Sequence, residues 1–465
     1  MSYGFWVRRV LFPLHERLKG HPTMGALRRL EASQWWDEAQ LAAHYRRALP
    51  AFFTHLVRQV PYYRQLFQEY GLVPTDFSTP ADLVQLPTTT KATFRQYGPG
   101  LKAADAKGLQ LARTGGSSGE PLVFYTDRLR GAHDVAARWR ANRWWGVEVG
   151  DPEVVLWGSP LELKAQDRLR GWRDALLRSH LLPAFAMSTA NLDHSLAMIR
   201  KVRPAMMFGY PSAFALLARH AQTKGIDLSR CGVKVVFVTS EMLFPEQRQT
   251  IEATFACRVV NEYGGRDLGF VARECPENKL HINAEDIIVE ILDDAGQPQP
   301  PGVPGEIAVT HLASGAFPFV RYRSGDLGMI DPTPCPCGRG LPILGELLGR
   351  HNDLLVAKDG TFIHANAVNY IVRRHRGVLS YKVVQDSTDT LRLALVTDEH
   401  YDPAAATAMA VAFRARLGDV QLTVERVTAI PIEASGKQRY VVSHVAGPVA
   451  DLAPVMNRAM GEGGR

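Results

Sequence analysis

The chain has 465 residues, a formal charge of +7 from 54 Lys and Arg against 47 Asp and Glu, and 46% hydrophobic and 22% charged residues. This length exceeds what one hydrophobic core organises, so we expect at least two domains, and the composition excludes an intrinsically disordered chain. The modest positive charge is interleaved with acids, which favours small anionic substrates and argues against a nucleic-acid partner.

The first hundred residues predict amphipathic helices. Helical apolar spacing runs from Asp37 to Leu66 and is interrupted at Pro61. From Leu109 onward the pattern changes to short apolar runs separated by glycine-rich turns and helices, which predicts parallel strands. These runs lie near Val154, Met206 and Val233.

The last third of the chain changes pattern twice. Two partly alternating stretches between His281 and Leu312 flank a Pro/Gly-rich turn, which predicts a β-hairpin. Beyond a glycine and a short polar run at 349–353, helical and strand patterns predict a small α+β unit. We therefore expect a hinge there, between a large domain of residues 1–349 and a small domain of residues 350–465.

Cysteine usage and apolar runs indicate the compartment. Five cysteines, an odd number in a long chain, do not form a disulfide framework. The apolar stretch near the N-terminus is too short for a signal peptide, and no later run reaches the roughly 18 apolar residues of a membrane span. We expect a cytoplasmic protein without membrane insertion.

The segment TGGSSGEP, from Thr114 to Pro121, lies between an apolar stretch and a β-like stretch. Glycines let main-chain N–H groups approach an anion closely, and hydroxyl groups add donors, so the segment suits a triphosphate. The GxxxxGK[ST] signature is absent, which disfavours an ordinary P-loop kinase or ATPase. A flexible surface loop is the alternative interpretation, and further motifs must decide between the two.

Four further motifs follow in order: NEYGGRDLG from Asn261, RYRSGDLG from Arg321, LGRHND from Leu348 and PIEASGKQR from Pro431. Together with TGGSSGEP, this set resembles the acyl-adenylate-forming (AMP-binding) superfamily. VPYYRQLFQEYGL and LPTTTKATFRQYG in the N-terminal region are similar to the signature of the phenylacetate-CoA ligase family. CPCGRG and the run from GRHND into KDGTFI resemble its capsular-polysaccharide-associated and deazaflavin-adenylating branch.

The resemblance implies an α/β adenylate-forming ligase fold, with a large N-terminal domain of mixed or parallel sheets and helices and a small mobile α+β C-terminal domain. It implies ATP and Mg²⁺, a small-molecule carboxylic acid, an acyl-adenylate intermediate, release of pyrophosphate, and transfer of the acyl group to CoA. An amine or a carrier protein is the alternative acceptor. The resemblance also allows a homodimer.

The resemblance further implies a nucleotide site. Contacts to adenine would come from the aromatic ring of Tyr263 and from Ser240 and Glu241 in SEMLFP, and Asp326 would accept hydrogen bonds from both ribose hydroxyls. Arg350 would lie near the nucleotide at the hinge. The β and γ phosphates would be wrapped by Thr114, Gly115, Gly116, Ser117, Ser118 and Gly119, and the motif after Asn261 adds Gly264 and Gly265.

Two residues matching the family's motifs would act in catalysis. Asp267 replaces the family's glutamate, and its carboxylate would bind Mg²⁺. Lys437 would bridge the substrate carboxylate and the α-phosphate and stabilise the charge that builds up there. In the alternative interpretations Asp267 pairs with an arginine and Lys437 is a solvated charge. Leu122 stands where the superfamily usually has a lysine.

A second group of residues suits a structural metal. Cys275, His281, Cys335 and Cys337 offer three thiolates and an imidazole, a closed tetrahedral set for Zn²⁺. The usual CxxC spacing is missing, but similar positions occur in some relatives of this branch. Buried thiols without a metal are the alternative.

The identity of the acid and of the acceptor is less constrained. Aromatic side chains in regions that line the acyl pocket of relatives favour a flat aryl or heteroaryl acid, with core packing as the alternative interpretation. They are Trp139, Trp144, Trp145 and Phe208. Lys358, Asp359 and Gly360 replace the segment that guides pantetheine in CoA ligases, which leaves an amine or carrier-protein acceptor open. A noncatalytic nucleotide-binding relative is the remaining alternative.

Overall fold

The computed structural model describes residues 2–114, 122–157, 167–184, 187–350, 355–359, 362–363, 365–431 and 439–445. Its N-terminal part is helical, as the apolar spacing predicts. The helices are α1 (Tyr3–Trp6), α2 (Phe12–Leu18), α3 (Thr23–Ser33), α4 (Glu38–Gln59), α5 (Pro61–Tyr70) and α6 (Lys91–Tyr97).

Local chemistry sets the ends of the longest of these helices. The Asp37 carboxylate accepts a hydrogen bond from the Gln40 N–H at 2.8 Å, and the Gln40 side chain accepts one from the Asp37 N–H at 3.0 Å. This reciprocal cap satisfies main-chain donors that the first turn of α4 leaves unpaired. Pro61 begins α5, which confirms the predicted interruption.

An eleven-stranded mixed sheet forms the centre of the molecule, in the order β10-β11-β12-β13-β9-β8-β7-β6-β5-β3-β4. Its strands are β3 (Glu153–Trp157), β4 (Ser179–Pro183), β5 (Met206–Gly209), β6 (Val235–Val238), β7 (Arg258–Gly265), β8 (Gly269–Glu274), β9 (Leu280–Ile282), β10 (Ile287–Leu292), β11 (Gly305–His311), β12 (Tyr322–Asp331) and β13 (Ile343–Arg350). A separate hairpin pairs β1 (Gln110–Arg113) with β2 (Val123–Thr126).

The central sheet has a parallel half and an antiparallel half. Strands β4, β3, β5, β6 and β7 run parallel, because helices connect most of them. From β7 to β10 neighbouring strands are antiparallel, and β10 and β11 form the hairpin expected from the sequence. The helices are α7 (Arg128–Arg143), α8 (Asp167–Leu176), α9 (Thr189–Val202), α10 (Pro211–Thr223) and α11 (Pro245–Phe255). This arrangement confirms the α/β fold class.

The C-terminal residues build on a second sheet of four strands in the order β18-β17-β16-β19. We call residues 355–445 the C-terminal unit. Phe244, which precedes α11, is 2% exposed and packs in the core of this unit. The boundary between residues 349 and 350 stays a prediction. The elements are β14 (Leu355–Val356), β15 (Phe362–Ile363), α12 (Ala365–Arg373), β16 (Val378–Ser387), β17 (Thr390–Thr397), α13 (Ala404–Leu417), β18 (Gln421–Arg426) and β19 (Val441–Ser443).

Candidate active site

A cavity of about 540 Å³ opens where β6 and β7 end and the C-terminal unit meets the central sheet. Ligands of open α/β sheets bind at the carboxyl ends of parallel strands, where the loops diverge. The cavity brings together residues that the sequence motifs place far apart in the chain: Ser240, Glu241, Tyr263, Gly264, Asp326 and Gly349, with Arg439 and Tyr440 from the C-terminal unit.

A tyrosine hydroxyl holds the predicted ribose carboxylate. Tyr263 lies near the end of β7 and donates a hydrogen bond to Asp326 Oδ2 at 2.9 Å. The main-chain N–H of Asp326 donates to Ser324 Oγ at 3.0 Å, which anchors the main chain that carries this carboxylate. Gly264 approaches the neighbouring strand so closely that a Cβ there would lie 2.4 Å from the Gly269 carbonyl oxygen. A residue with a side chain at position 264 would therefore collide with the main chain of β8.

The loop after β6 forms the wall opposite. Ser240 has a φ of 71°, a left-handed conformation that costs free energy in a residue with a Cβ. It turns the chain so that Ser240 and Glu241 both face the cavity. Glu241 Oε2 accepts a hydrogen bond from the Ser212 N–H at 3.2 Å, which ties this loop to the first turn of α10.

The predicted magnesium ligand lies at the turn between β7 and β8. Asp267 is half-buried, and its Oδ2 accepts a hydrogen bond of 3.0 Å from the hydroxyl of Tyr322, which is fully buried. The guanidinium of Arg130 donates to the carbonyl oxygens of Arg266 at 2.9 Å and Asp267 at 2.6 Å. Arg130 thus stabilises the main chain of the turn, and a Cβ on Gly265 would meet Asp267 Oδ1 at 2.9 Å.

The base of the predicted phosphate loop reaches the same turn. The N–H of Thr114 donates to the Leu122 carbonyl at 3.0 Å, and the Leu122 N–H donates to Thr114 Oγ1 at 2.9 Å, so these residues close the β1–β2 hairpin. Arg266 donates to the carbonyl oxygen of Arg113 at 3.3 Å. The end of β1, where the predicted phosphate loop starts, therefore lies beside the turn that carries Asp267. The remaining predicted residues of the loop, Gly115, Gly116, Ser117, Ser118 and Gly119, lie outside the described residues.

Two further predicted residues lie partly or wholly outside the described part of the chain. Arg350 ends β13, where its main chain pairs with Asp326 of β12, and its side chain lies outside the described part of the chain. Lys437 also lies outside it. Arg439 and Tyr440, which follow Lys437 by two and three positions, line the cavity. The Tyr440 ring packs edge-on against Phe244, with 5.4 Å between ring centroids.

The four predicted zinc ligands converge around β9, the strand that carries His281. Their ligand atoms all lie within 4.8 Å of one another. Cys275 Sγ is 3.6 Å from Cys335 Sγ, and Cys337 Sγ is 3.2 Å from His281 Nε2. A tetrahedral zinc with Zn–S of about 2.3 Å and Zn–N of about 2.0 Å separates its ligand atoms by roughly 3.5–3.8 Å. The four side chains therefore fit a tetrahedral ion with small adjustments.

The protonation of His281 also suits metal binding. Burial lowers the pKa of its imidazole to about 4, so the ring is neutral at pH 7. Nδ1 lies 3.0 Å from the Leu341 carbonyl oxygen, which can only accept, so Nδ1 carries the proton and the Nε2 lone pair faces the thiols. Burial raises the pKa of the Cys275 thiol and raises that of Cys335 to about 12, and a bound cation would oppose both effects.

The tryptophans have structural contacts that favour core packing over an acyl pocket. The Trp144 indole N–H donates to Gln34 Oε1 at 2.7 Å, and its ring meets His281 edge-on at 5.9 Å between centroids. The Trp145 indole donates to the Glu274 carbonyl at 3.0 Å. Trp139 packs with the apolar residues Val7, Phe12 and Val149.

A stack of three aromatic rings, of which the sequence indicated only Phe208, lies beside the loop of Ser240. The Trp157 ring stacks on Tyr210 at 4.3 Å and on Phe208 at 5.5 Å between centroids. Trp157 ends β3, and Tyr210 follows β5. The main chain of Thr239 bonds to Gly209, which joins this stack to the loop of Ser240. The end of an apolar strand, VVLW, was the signal that could have identified Trp157.

Comparisons with known proteins agree with this geometry. The family model of AMP-binding enzymes matches residues 177–313, and that of the CapK C-terminal domain matches residues 355–444. A phenylacetate-coenzyme A ligase of Pseudomonas putida is 30% identical over 329 residues, covering 68% of this chain and 72% of the relative. Protein CapK of Staphylococcus aureus is 24% identical over 399 residues, covering 85% of this chain and 87% of CapK.

The fold has close structural counterparts. The crystal structure of a 2-hydroxyisobutyryl-CoA ligase in the postadenylation state superposes with a TM-score of 0.70 at 20% identity, covering 92% of this chain and 93% of that one. Among the described residues, none of the helices has the length and apolar character that a bilayer crossing demands. The chain belongs to the phenylacetate-CoA ligase family of AMP-binding enzymes, in the branch with a CapK-type C-terminal domain, and it is an AMP-forming ligase.

Proposed function

We propose that this ligase activates an aromatic or heteroaromatic carboxylic acid as its acyl-adenylate and transfers the acyl group to CoA. One observation carries the proposal: the cavity joins the Tyr263–Asp326 pair of the central sheet to Arg439 and Tyr440, the near neighbours of Lys437. A nucleotide in this cavity would meet both parts of the chain.

In this proposal the adenosine lies between the loop of Ser240 and the ring of Tyr263. The face of an aromatic ring suits a planar purine, and Gly264, which lines the cavity next to Tyr263, adds no side chain there. Asp326 accepts hydrogen bonds from the ribose hydroxyls. Its orientation by Tyr263 and Ser324 means that little rotational freedom is lost when the ribose binds.

The phosphates lie toward the hairpin that Thr114 and Leu122 close. Asp267 fits a magnesium site because it offers a half-buried hard oxygen donor beside the base of that hairpin. When bound, Mg²⁺ neutralises charge on the triphosphate as pyrophosphate leaves. Tyr322 keeps the Asp267 carboxylate directed to this side, and Arg130 keeps the turn in place.

Lys437 supplies positive charge where the acid carboxylate attacks the α-phosphate. One carboxylate oxygen forms a bond to phosphorus, the bond from phosphorus to the bridging oxygen of pyrophosphate breaks, and pyrophosphate carries away the electron pair. The ammonium group stabilises the negative charge that the reacting oxygens share. In the second step the thiol of CoA attacks the acyl carbon, and AMP leaves.

The aromatic acid is supported by the stack of Trp157, Tyr210 and Phe208. These rings lie at the ends of β5, which neighbours β6, and of β3, which neighbours β5, so a flat acid could reach the α-phosphate from them. Transfer to CoA is supported by the relatives that are named CoA ligases. If the acceptor is instead an amine or a carrier-protein thiol, the replacement of the pantetheine-guiding segment of CoA ligases at Lys358 and Asp359 would explain it.

We also propose that Cys275, His281, Cys335 and Cys337 hold a structural Zn²⁺. Four protein ligands leave no open position for a substrate, so the ion would cross-link strands and take no part in the reaction. Its place is consistent with this purpose: the site joins the β8–β9 turn to the β12–β13 connection, and Lys279, Leu280 and Ile343 of the same segments line the cavity.

The deciding experiment is exchange of labelled pyrophosphate into ATP, measured with a panel of aryl, heteroaryl and short aliphatic acids. Exchange that depends on an aryl or heteroaryl acid supports the proposed activation. The products formed with and without CoA are then identified by mass spectrometry as acyl-AMP or acyl-CoA.

Each outcome has a distinct meaning. Exchange with aliphatic acids alone would overturn the aromatic preference, and acyl-AMP that persists with CoA but is consumed by an amine would overturn the acceptor. A complete absence of exchange with every acid, in protein that binds ATP, would favour a noncatalytic relative. The variant Lys437→Ala is the matched negative control for the exchange signal.

A further inference from the structure

The surface formed by the N-terminal helices is unusually apolar. Residues 3–18 form an unbroken helical run, since α1 continues through a π-helical segment, Val7–Leu11, into α2. Buried side chains of this run, among them Val7, face the protein. The opposite face carries Tyr3, Trp6, Val10, Leu14 and Leu18, with exposed fractions of 48%, 50%, 42%, 50% and 79%. We call these five residues the apolar stripe.

A second helix extends the stripe sideways. The Tyr3 hydroxyl donates to the carbonyl oxygen of Leu176 at 2.9 Å, so α8 lies alongside. Trp172 and Leu176 of α8 are 76% and 54% exposed. Contiguous apolar surface of this kind marks an interaction site, because single exposed apolar residues are common but clusters are not.

The exposed charges of the helical run are basic, and the nearby acids Glu148 and Asp174 pair with Arg8 and Arg173. Arg9 and Arg17 are exposed on the run of residues 3–18, and Lys19, which follows it, pairs with Glu16 at 3.5 Å. The one acid of the run, Glu16, is 2% exposed and is satisfied from within by the Thr23 hydroxyl at 2.5 Å and by the His21 ring at 3.2 Å. The solvent-facing side therefore combines tryptophan, leucine and arginine without an exposed carboxylate of its own.

We propose that this face docks on an anionic membrane surface. A helix with an apolar face containing Trp and Leu, flanked by Arg and Lys, lies in the plane of the interface with its apolar side about 5–10 Å deep. The basic residues complement the acidic headgroups, each contributing about fivefold in affinity near the surface. The docked enzyme would take its acid from, or release its product to, the lipid phase, which suits a hydrophobic acyl group.

Charge complementarity favours a membrane over a second copy of this chain. In a symmetric dimer the stripes would pair with each other, and Arg9 and Arg17 would face their own equivalents without an exposed acid on the run to match them. An anionic bilayer satisfies the apolar and the basic residues together. A dimer through the stripe is therefore the competing outcome of the test.

The test is sedimentation of the full chain with vesicles of phosphatidylcholine alone and of phosphatidylcholine mixed with phosphatidylglycerol. We expect binding to the anionic vesicles that weakens as salt is raised. The double variant Trp6→Ser, Leu14→Ser should lose at least tenfold in affinity. Arg9→Gln with Arg17→Gln should lose at least tenfold on anionic vesicles and nothing on neutral ones.

Matched controls carry the same changes elsewhere. Val411→Ser alters a side chain that is 61% exposed on α13, and Arg46→Gln with Arg47→Gln removes two exposed arginines of α4. Both should bind vesicles as the wild type does. The proposal is overturned if anionic vesicles do not sediment the wild type, if the controls and the stripe variants bind alike, or if light scattering shows a dimer that Trp6→Ser with Leu14→Ser dissolves.

Discussion

Removing the hydroxyl of Tyr263 tests the ribose site with the smallest change. In Tyr263→Phe the ring stays, but the hydrogen bond of 2.9 Å to Asp326 Oδ2 is lost. A hydrogen bond to a charged group contributes about 1.5–3 kcal/mol, and water at this half-exposed carboxylate replaces part of it. We expect about 1 kcal/mol, which corresponds to a roughly fivefold increase in the Kd for ATP.

Calorimetric titration with ATP measures this effect directly, and a double-mutant cycle assigns its cause. Asp326→Ala alone removes two hydrogen bonds to the ribose and should raise Kd by roughly 30- to 150-fold, or about 2–3 kcal/mol. Adding Tyr263→Phe to Asp326→Ala should then cost almost nothing, because the hydroxyl acts through the carboxylate.

The matched control removes a hydroxyl of another buried tyrosine. Tyr381 donates to Asn369 Oδ1 at 3.1 Å within the core of the C-terminal unit and does not itself line the cavity. Tyr381→Phe should leave the Kd for ATP unchanged. An unaltered Kd in Tyr263→Phe, or strictly additive losses in the double variant, would refute the idea that Tyr263 orients Asp326.

Three other expectations follow from the site. Lys437→Ala should reduce pyrophosphate exchange by orders of magnitude while ATP binding stays near the wild-type value, and unchanged exchange would contradict its catalytic role. Cys335→Ser should lower the zinc content, measured by atomic emission, and the melting temperature, whereas Cys231→Ser, at a buried thiol outside the cluster, should keep the zinc; a wild-type protein purified without zinc would end that proposal. Trp157→Ala should raise the KM for an aryl acid more than that for a small aliphatic acid, with the Kd for ATP unaffected, and equal effects on both acids would argue against the stack as acid pocket.

The sequence predicted the fold class, and its ordered motifs identified several residues that the structure brings to one cavity. It could not predict how they meet. Tyr263 and Asp326 are 63 positions apart and lie on β7 and β12, which are not neighbours in the sheet. Their contact depends on the curvature and register of four intervening pairings, and no local pattern encodes these.

The cluster of Cys275, His281, Cys335 and Cys337 illustrates the same limit. Cysteine and histidine content indicated zinc, while the spacing without CxxC argued weakly for it. The ligands converge because β13 pairs with β9, with Ile343 opposite His281. That pairing brings the connection carrying Cys335 and Cys337 over the turn carrying Cys275. Spacing rules describe ligands on one hairpin and fail for a site shared between two.

The tryptophans show where residue type alone was insufficient. Trp139, Trp144 and Trp145 follow the predicted phosphate loop in the sequence, and this position favoured a role in lining the acyl pocket. In the structure the Trp144 indole instead donates to Gln34 at the end of α3, and the Trp145 indole donates to Glu274 of β8. The stack at Trp157 needed the parallel register of β3 and β5, which brings Phe208 and Tyr210 next to it.

The burial of Phe244 has a thermal consequence for turnover. Phe244 lies in the segment between β6 and α11, but it contributes to the core of the C-terminal unit, where the Tyr440 ring packs against it. If the C-terminal unit rotates between the two half-reactions, the Phe244 ring becomes exposed to water during the rotation. Exposure of apolar surface to water raises the heat capacity. A turnover rate limited by that rotation would carry a positive activation heat capacity, to which this ring contributes about 0.1 kcal/mol/K, and Phe244→Ala would lower it by most of that amount.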